Sequence, residues 1–254
     1  KNFSKDEVVV EVDTRGAKTE TVDLASADVM SARMDNLIKD IITYCNTNYP
    51  GVIVSWDVLD DPINSGDYHE KKYRESSNWF KILGEDYMFD AFELADKYAT
   101  KEQKLFVAQE STQDRITREP FVALVPLLKE KCRLDGIAIQ AHYNPNTPKV
   151  FDAEDMFKAL SAFGLEIQLT EFYVDSKVGA QEDYEKTEEE FLERNTKRYK
   201  ALMQLFTRME DQKGYDITHI SMDGLTDDTS SLNAPKEYVD KETGETVVGV
   251  EVYS

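Results

Sequence analysis

The chain alternates short apolar runs with longer amphipathic stretches, and this alternation limits the fold more than any single residue does. Five apolar runs have the length of buried strands, namely 52–59, 105–108, 137–140, 165–170 and 217–222. Five other stretches space their apolar residues as helices do, namely 26–47, 77–99, 120–132, 153–163 and 187–211. Strands that alternate with helices of this length form parallel sheets with crossover helices. The pattern therefore predicts an α/β fold.

The two ends of the chain do not follow this alternation. Residues 8–12 and 19–22 flank a turn-like segment at 14–17, and residues 247–253 follow a second turn-like segment at 241–245. Such patterns are typical of β-hairpins. We therefore expect a hairpin or the remnant of an insertion within 1–25, and a C-terminal hairpin within 233–254.

The number of repeating units bears on the architecture. Five βα units are too few to close an eight-stranded barrel. Either the sheet is open, or the beginning of a barrel is not part of this sequence. The pattern alone leaves both alternatives open.

Charge and hydropathy exclude some classes of partner. The formal charge is −20, from 30 basic and 50 acidic residues, so nucleic acids and anionic membranes would repel the chain. A neutral substrate fits better. No apolar run is long enough for a membrane span, and Lys1 to Ser4 lack the apolar core of a signal peptide. Cys45 and Cys132 lack CxxC spacing, so we interpret both as reduced structural residues.

Polar residues follow four of the five predicted strands. These polar segments are 57–61 at the end of the first strand, 140–144 at the third, 170–171 at the fourth and 223–228 at the fifth. In an α/β barrel the chemistry lies at this end of the strands. Carboxylates, an amide and an imidazole are groups that sugar chemistry uses, and Glu171 stands where the predicted strand 165–170 ends.

Several motifs stand in a fixed order along the chain. They are Trp56-Asp57-Val58-Leu59-Asp60-Asp61, Asp135-Gly136-Ile137-Ala138-Ile139-Gln140-Ala141-His142, Leu165-Glu166-Ile167-Gln168-Leu169-Thr170-Glu171 and Gly224-Leu225-Thr226-Asp227. Together with a helical segment at 78–87 they resemble glycoside hydrolase family 10, the family of endo-β-1,4-xylanases. The resemblance covers 26–232, and the first three barrel strands of the family have no counterpart.

The resemblance implies a fold and an activity. The fold would be a TIM (β/α)8 barrel, with 1–254 as one incomplete barrel domain that holds strands four to eight. The activity would be retaining hydrolysis of β-1,4-xylosidic bonds in plant polysaccharide, outside the cell or at its surface, without a cofactor. His69 and His219 lack the spacing of metal ligands, so we assign no metal site.

The same resemblance gives roles to five residues. Glu171 matches the catalytic nucleophile, and Asp61 falls on the acid/base position, where the family has Glu. Gln140 and His142 match residues that orient the nucleophile and the sugar hydroxyls. Asp60 falls where the family has an Asn that contacts the 2-hydroxyl of the reacting sugar. These five residues are our candidate catalytic and substrate-binding groups.

Departures from the family pattern keep a second hypothesis open. The Asp61 side chain is one methylene shorter than Glu, so its carboxyl should fall roughly 1.5 Å short, at a cost of about 10²-fold in rate. Residues 108–111 replace an Asn-Asp-Tyr-Asn run, Asp223 replaces a Trp, and Ser230-Ser231 replace a Ser-Trp pair. The alternatives are a xylanase-type enzyme of reduced activity and a degenerate barrel that binds glycan without cleaving it.

Overall fold

The computed structural model describes residues 4–12, 18–65, 72–175, 188–224, 236–239 and 246–249. The helices are α1 (Ala27–Asn48), α2 (Asn78–Leu83), α3 (Tyr87–Tyr98), α4 (Arg115–Lys131), α5 (Val150–Ser161) and α6 (Glu188–Lys213). The strands are β1 (Ser4–Val12), β2 (Lys18–Leu24), β3 (Ser55–Asp60), β4 (Lys104–Glu110), β5 (Gly136–Tyr143), β6 (Glu166–Val174), β7 (Ile217–Met222), β8 (Lys236–Val239) and β9 (Thr246–Gly249).

The centre of the fold is a parallel sheet of five strands. Its order is β3-β4-β5-β6-β7, so every crossover leads to the neighbouring strand. Helices lie between these strands in the chain, as a βα architecture requires. The predicted α/β fold is confirmed. Strand β1 pairs with β2 and β8 with β9, both antiparallel.

Two predicted helices have different bounds in the structure. The single helix predicted over 77–99 is two helices, because Gly84 has a positive φ of 73° and its N–H closes the last turn of α2 on the carbonyl of Phe80. The helix predicted from Pro120 begins at Arg115. The Asp114 carboxylate accepts a hydrogen bond from the Ile116 N–H there and so caps the helix.

Strands β4, β5 and β6 run past their predicted ends. They end at Glu110, Tyr143 and Val174, whereas the apolar runs predicted ends at 108, 140 and 170. Strand β3 begins at Ser55 instead of residue 52. Pairing with neighbouring strands continues beyond the apolar residues, for example between Tyr143 and Val174. The additional residues carry part of the candidate site.

Side chains of the central strands alternate between two clusters. Those facing the helices join the main core, for example Leu105, Val107, Ile137 and Ile139. Phe106, Ala108 and Ala138 lie on the opposite face and form a second buried cluster. Each large apolar side chain buried in this way contributes about 1.5–3 kcal/mol. This packing fixes which face of each strand carries polar groups.

Gly136 on β5 leaves room for the ring of Phe106 on β4. It pairs with Phe106, and a Cβ atom at Gly136 would lie 2.0 Å from Cε1 of that buried ring. No real Cβ contact is this short, so only glycine fits beneath the ring. The Phe106 ring therefore lies over Gly136, on the face of the sheet that holds the second buried cluster.

Glu166 is a buried carboxylate at the other end of the sheet. It receives hydrogen bonds from Lys104, Thr218 and Gln168. Burial raises its pKa, but these hydrogen bonds outweigh burial and hold the pKa below its usual value. It is the first residue of β6 and so lies at the N-terminal end of the parallel strands. In a βα barrel polar groups at that end contribute to stability, so we interpret Glu166 as structural.

Candidate active site

The carboxyl ends of β3, β4, β5 and β6 stand side by side and bring the predicted site residues together. Register pairs Asp60 with Ala108, Glu110 with Gln140, and Gln140 with Thr170. The pairing of β5 with β6 shifts by a bulge after Gln140. Bulges of this kind re-aim side chains next to active sites.

Glu171 is held by donors from β5. Its Oε2 lies 2.9 Å from Nε2 of His142, and its Oε1 accepts a longer hydrogen bond of 3.5 Å from the Gln140 amide. The residue has a positive φ of 52°, which is unusual for a non-glycine residue and typical of functional sites. Phe172, the next residue, is fully buried, while the Glu171 side chain is 54% exposed. The backbone therefore turns this carboxylate outward from a rigid strand.

Gln140 also connects Glu171 to Asp60. Its Nε2 donates to Oδ1 of Asp60 at 2.8 Å, a stronger hydrogen bond than the one to Glu171. The amide nitrogen carries two hydrogens, so Gln140 can donate one to Asp60 and the other to Glu171. The predicted grouping of Asp60, Gln140, His142 and Glu171 is thus present in the structure.

Asp57 is a further carboxylate of β3 in this group. Burial of the carboxyl among protein atoms, followed by the negative charges of Asp60 and Glu171, raises its pKa from 3.8 to about 6. The residue as a whole remains exposed to solvent, so its surroundings are only partly desolvated.

Asp57→Asn should stabilise the protein at neutral pH. The folded state holds the Asp57 proton up to about pH 6, whereas the unfolded chain releases it near 3.8, so wild-type stability falls as pH rises between these values. After allowance for solvent screening we expect a gain of about 1 kcal/mol at pH 7 for the variant. Urea unfolding at pH 7 and below pH 4 should show that gain only at pH 7; an equal gain at both pH values would contradict the assignment.

Asp61 lies in a buried pocket beside the group. Its Oδ1 accepts hydrogen bonds from the Glu110 backbone N–H at 2.8 Å and from the Gln109 amide at 3.1 Å. Its Oδ2 forms an ion pair with Arg74 at 3.3 Å. Burial raises the pKa of Asp61, the Glu110 N–H and Arg74 oppose this rise, and the charges of Glu110 and Asp60 add to it. Both oxygens already have donors from the protein, so a leaving oxygen would have to compete with them.

Two residues that the sequence did not single out contact His142. The Tyr173 ring stacks on the imidazole, with centroids 4.7 Å apart and planes inclined by 21°. Glu110 Oε2 lies 3.6 Å from Nδ1, the nitrogen that faces away from Glu171. Both residues lie on strand extensions beyond the predicted apolar runs. The sequence feature that could have pointed to Glu110 is its place in the segment 108–111, which departs from the family pattern.

The described residues offer no set of metal ligands. Nowhere in the described ranges do three or more His, Cys, Asp or Glu side chains group so that they could hold a metal ion. Cys45 and Cys132 are both free thiols. None of the helices in the described part of the chain is long and apolar enough to cross a bilayer. The Ser230-Ser231 pair lies outside the described residues.

Comparison with known proteins identifies the family. The sequence model of glycosyl hydrolase family 10 matches residues 17–243. The chain belongs to this family. Endo-1,4-β-xylanase A of Caldicellulosiruptor saccharolyticus is 32% identical over 209 residues, which are 80% of this chain and 57% of that protein. Endo-1,4-β-xylanase A of Halalkalibacterium halodurans is 30% identical over 220 residues, covering 84% of this chain and 52% of the relative.

Solved structures of family 10 xylanases share the fold. The intracellular xylanase TsXylA from Thermoanaerobacterium saccharolyticum superposes with a TM-score of 0.70 at 27% identity, over 84% of this chain and 62% of that one. The endo-1,4-β-xylanase from Caldicellulosiruptor owensensis gives a TM-score of 0.69 at 27% identity, over 86% and 62%. The predicted TIM-barrel type is confirmed. The chain spans 52 to 62% of the length of these four proteins.

The individual roles stay predictions. Glu171 and Asp61 as catalytic groups, and Asp60, Gln140 and His142 as sugar-binding groups, rest on the match of their motifs. The structure adds the contacts described above. These contacts support the Glu171 assignment and place constraints on that of Asp61.

Proposed function

We propose that this family 10 chain carries the catalytic carboxylates of a retaining hydrolase of β-1,4-linked xylan. The observation that carries the proposal is Glu171, an exposed carboxylate at a strand end whose Oε2 lies 2.9 Å from the His142 imidazole. Relatives that bear the name endo-1,4-β-xylanase support the substrate class, and one solved neighbour contains xylotriose. Location outside the cell or at its surface stays a prediction from the family resemblance.

The nucleophile has a simple role in this reaction. A Glu171 oxygen attacks the anomeric carbon as the bond to the leaving oxygen breaks, which leaves a glycosyl ester on Glu171. Water then attacks the same carbon and releases Glu171, so the sugar keeps its configuration. Contacts with His142 and Gln140 hold the Glu171 carboxylate in place for this attack.

The acid/base has a harder role at this site. Asp61 would give its proton to the leaving oxygen and later take one from the attacking water. Its raised pKa suits a proton donor, because the neutral form then persists to higher pH. Its burial, its short side chain and its ion pair with Arg74 all limit its reach. We therefore expect the acid-assisted step to be the slow one.

The hydrogen bonds and the ion pair of Asp61 with protein groups also favour a second candidate function. A carboxylate whose two oxygens are both occupied by protein donors serves structure well and proton transfer poorly. The groove would then bind xylan-type glycan through Asp60, Gln140 and Glu171 without cleaving it. The two candidates differ in whether a covalent glycosyl intermediate forms.

An activated substrate separates the two candidates. An aryl β-xylobioside with a good leaving group needs little acid help, so a hydrolase with a weak acid should still release the aryl alcohol. We expect measurable release with retained configuration of the first sugar product, and a rate on unactivated xylo-oligosaccharide lower by about 10²-fold or more. Retention of the chain on xylan during affinity electrophoresis, with no aryl alcohol released, would reject the hydrolase and support glycan binding.

A further inference from the structure

Tyr173 carries an aromatic ring at the groove formed by the carboxyl ends of β3 to β6. Its neighbours in the chain, Phe172 and Val174, are buried in the main core, so the Tyr173 side chain points to the opposite face of β6. Register pairs Tyr173 with His142 on β5, and the two rings stack with centroids 4.7 Å apart. The residue is partly exposed. Part of its side chain therefore reaches solvent in the groove.

The bulge in β6 places Tyr173 beside the proposed nucleophile. From the pair Gln140–Thr170 to the pair His142–Tyr173, β5 advances by two residues and β6 by three. Glu171 is the extra residue, and its carboxylate is exposed. His142 contacts both side chains, because its Nε2 lies 2.9 Å from Glu171 while its ring stacks on Tyr173. A sugar held at Glu171 is therefore next to the Tyr173 side chain.

Asp223, at the end of β7, stands close to Tyr173. Its backbone N–H donates to the Phe172 carbonyl at 3.2 Å, and its negative charge acts on the Tyr173 phenol. The residue is exposed, and the family pattern has a Trp at this position. A carboxylate in place of an indole leaves more room beside the Tyr173 ring.

The phenol of Tyr173 stays neutral in this acidic groove. Burial raises its pKa above the usual value of 10, and the charges of Asp175, Asp223, Glu110 and Glu171 raise it further. Carboxylates only accept hydrogen bonds, whereas a neutral phenol can also donate one. Tyr173 therefore brings two features that the carboxylates lack, an apolar ring and a hydroxyl that can donate.

These two features match the surface of a pyranose ring. In a β-1,4-linked xylosyl unit every hydroxyl and glycosidic oxygen is equatorial, so both faces of the sugar carry axial C–H groups and are apolar. Carboxylates and amides bind the hydroxyls at the rim but give such a face no apolar contact. A tyrosine ring gives a large, rigid apolar contact with a polar end. A mannosyl unit would present an axial hydroxyl on one of its faces.

We propose that Tyr173 is a specificity-determining residue of this site: its ring packs against an apolar face of a xylosyl unit held at Glu171 and so selects all-equatorial pyranosides. His142 occupies one face of the Tyr173 ring, and the sugar packs on the other. The kinetic consequence of this contact rests on the proposed function. Binding of the sugar does not require turnover, so the two can be tested separately.

The first test is calorimetric titration with xylotriose. Tyr173→Phe keeps the ring and should bind within about threefold of the wild type, whereas Tyr173→Leu should bind about tenfold more weakly. The wild type should prefer xylotriose to β-1,4-mannotriose, and Tyr173→Leu should lose most of that preference. Tyr44→Leu removes an exposed tyrosine of α1 and is the matched control, for which we expect no change. Equal affinities of wild type and Tyr173→Leu, or no binding by either, would overturn the proposal.

The second test asks by NMR whether the ring itself touches the sugar. An aromatic ring shifts protons above its face upfield, so the axial C–H protons of xylotriose should move upfield on binding to the wild type or to Tyr173→Phe. At saturating xylotriose this shift should be lost in Tyr173→Leu. The same shift in all three proteins would mean that Tyr173 acts by packing on His142 and would overturn the proposal. No upfield shift with the wild type would overturn it whether or not Tyr173→Leu folds.

The third test is kinetic and uses the aryl β-xylobioside. Tyr173→Leu should raise KM about tenfold with kcat within about threefold, because the ring contacts the sugar equally in the ground state and the transition state. A lower kcat at unchanged KM would overturn the proposal in favour of a role in holding His142. If the wild type itself releases no aryl alcohol, the proposed function fails, and the xylotriose titration still decides the role of Tyr173.

Discussion

Glu171→Ala is expected to lower the kcat of aryl xylobioside hydrolysis by at least about 10⁴-fold, because in the proposed mechanism the glycosyl intermediate forms on Glu171. An activated leaving group removes the need for acid assistance but not the need for a nucleophile, so the loss should be equally large on activated and natural substrates. Initial rates at saturating substrate, measured beside the wild type, test this. Unchanged activity would refute the assignment of Glu171.

Two controls test whether the loss of rate in Glu171→Ala comes from the missing nucleophile. Glu119→Ala removes an exposed carboxylate on α4 and should leave the rate unchanged. A small anion such as azide can enter the space that Glu171→Ala vacates, attack the anomeric carbon and expel the aryl group. The product would be a glycosyl azide of inverted configuration. Its formation would show that the rest of the site is intact.

The backbone conformation of Glu171 should let Glu171→Ala fold normally, so that the loss of activity reflects the missing carboxylate. The 52° φ is strained for any residue with a Cβ, so alanine keeps about the same backbone cost as glutamate. The Glu171 side chain is 54% exposed and packs little. Stability of the variant in urea should therefore stay within about 0.5 kcal/mol of the wild type.

The sequence predicted the parts of the fold that depend on local periodicity. Alternation of apolar runs is a property of each segment alone, and it located all five strands of the parallel sheet. Gly84 shows where this fails: the apolar spacing of 77–99 continues through it, while the backbone leaves the helix there with a φ of 73°. Helix ends depend on single backbone conformations that periodicity does not record.

The candidate site was predictable only where a motif carried it. Asp60, Gln140, His142 and Glu171 stand in motifs, and the structure brings them together. Glu110 was not predicted as a site residue, because no motif records that its carboxylate lies near Nδ1 of His142. That contact follows from the register of β4 with β5 and the bulge after Gln140, which involve pairing between segments distant in the chain.

Asp61→Ala is expected to destabilise the protein by about 3 kcal/mol, the largest stability effect we predict. The substitution removes the acceptor of the Glu110 N–H and one of the two acceptors of the buried Gln109 amide, which also donates to the Glu110 carbonyl; each unsatisfied donor costs about 1–3 kcal/mol. Arg74 contributes less, because its side chain is 41% exposed and can turn to water. The free energy of unfolding in urea at pH 7 is the measurement, with Glu119→Ala, an exposed carboxylate of α4, as the control that should change little.

Asp61→Asn distinguishes the hydrogen bonds of Asp61 from its charge. The amide keeps an oxygen for the Glu110 N–H. It removes the carboxylate charge, whose burial raises the pKa of Asp61. Since the folded state binds this proton more tightly than the unfolded chain, wild-type stability falls as pH rises from 3.8 through the raised pKa. The stability of Asp61→Asn relative to wild type should therefore increase over that interval and stay constant above it. A relative stability that falls with rising pH would mean that the ion pair with Arg74 outweighs burial, and that Asp61 is held ionised and is no proton donor at neutral pH.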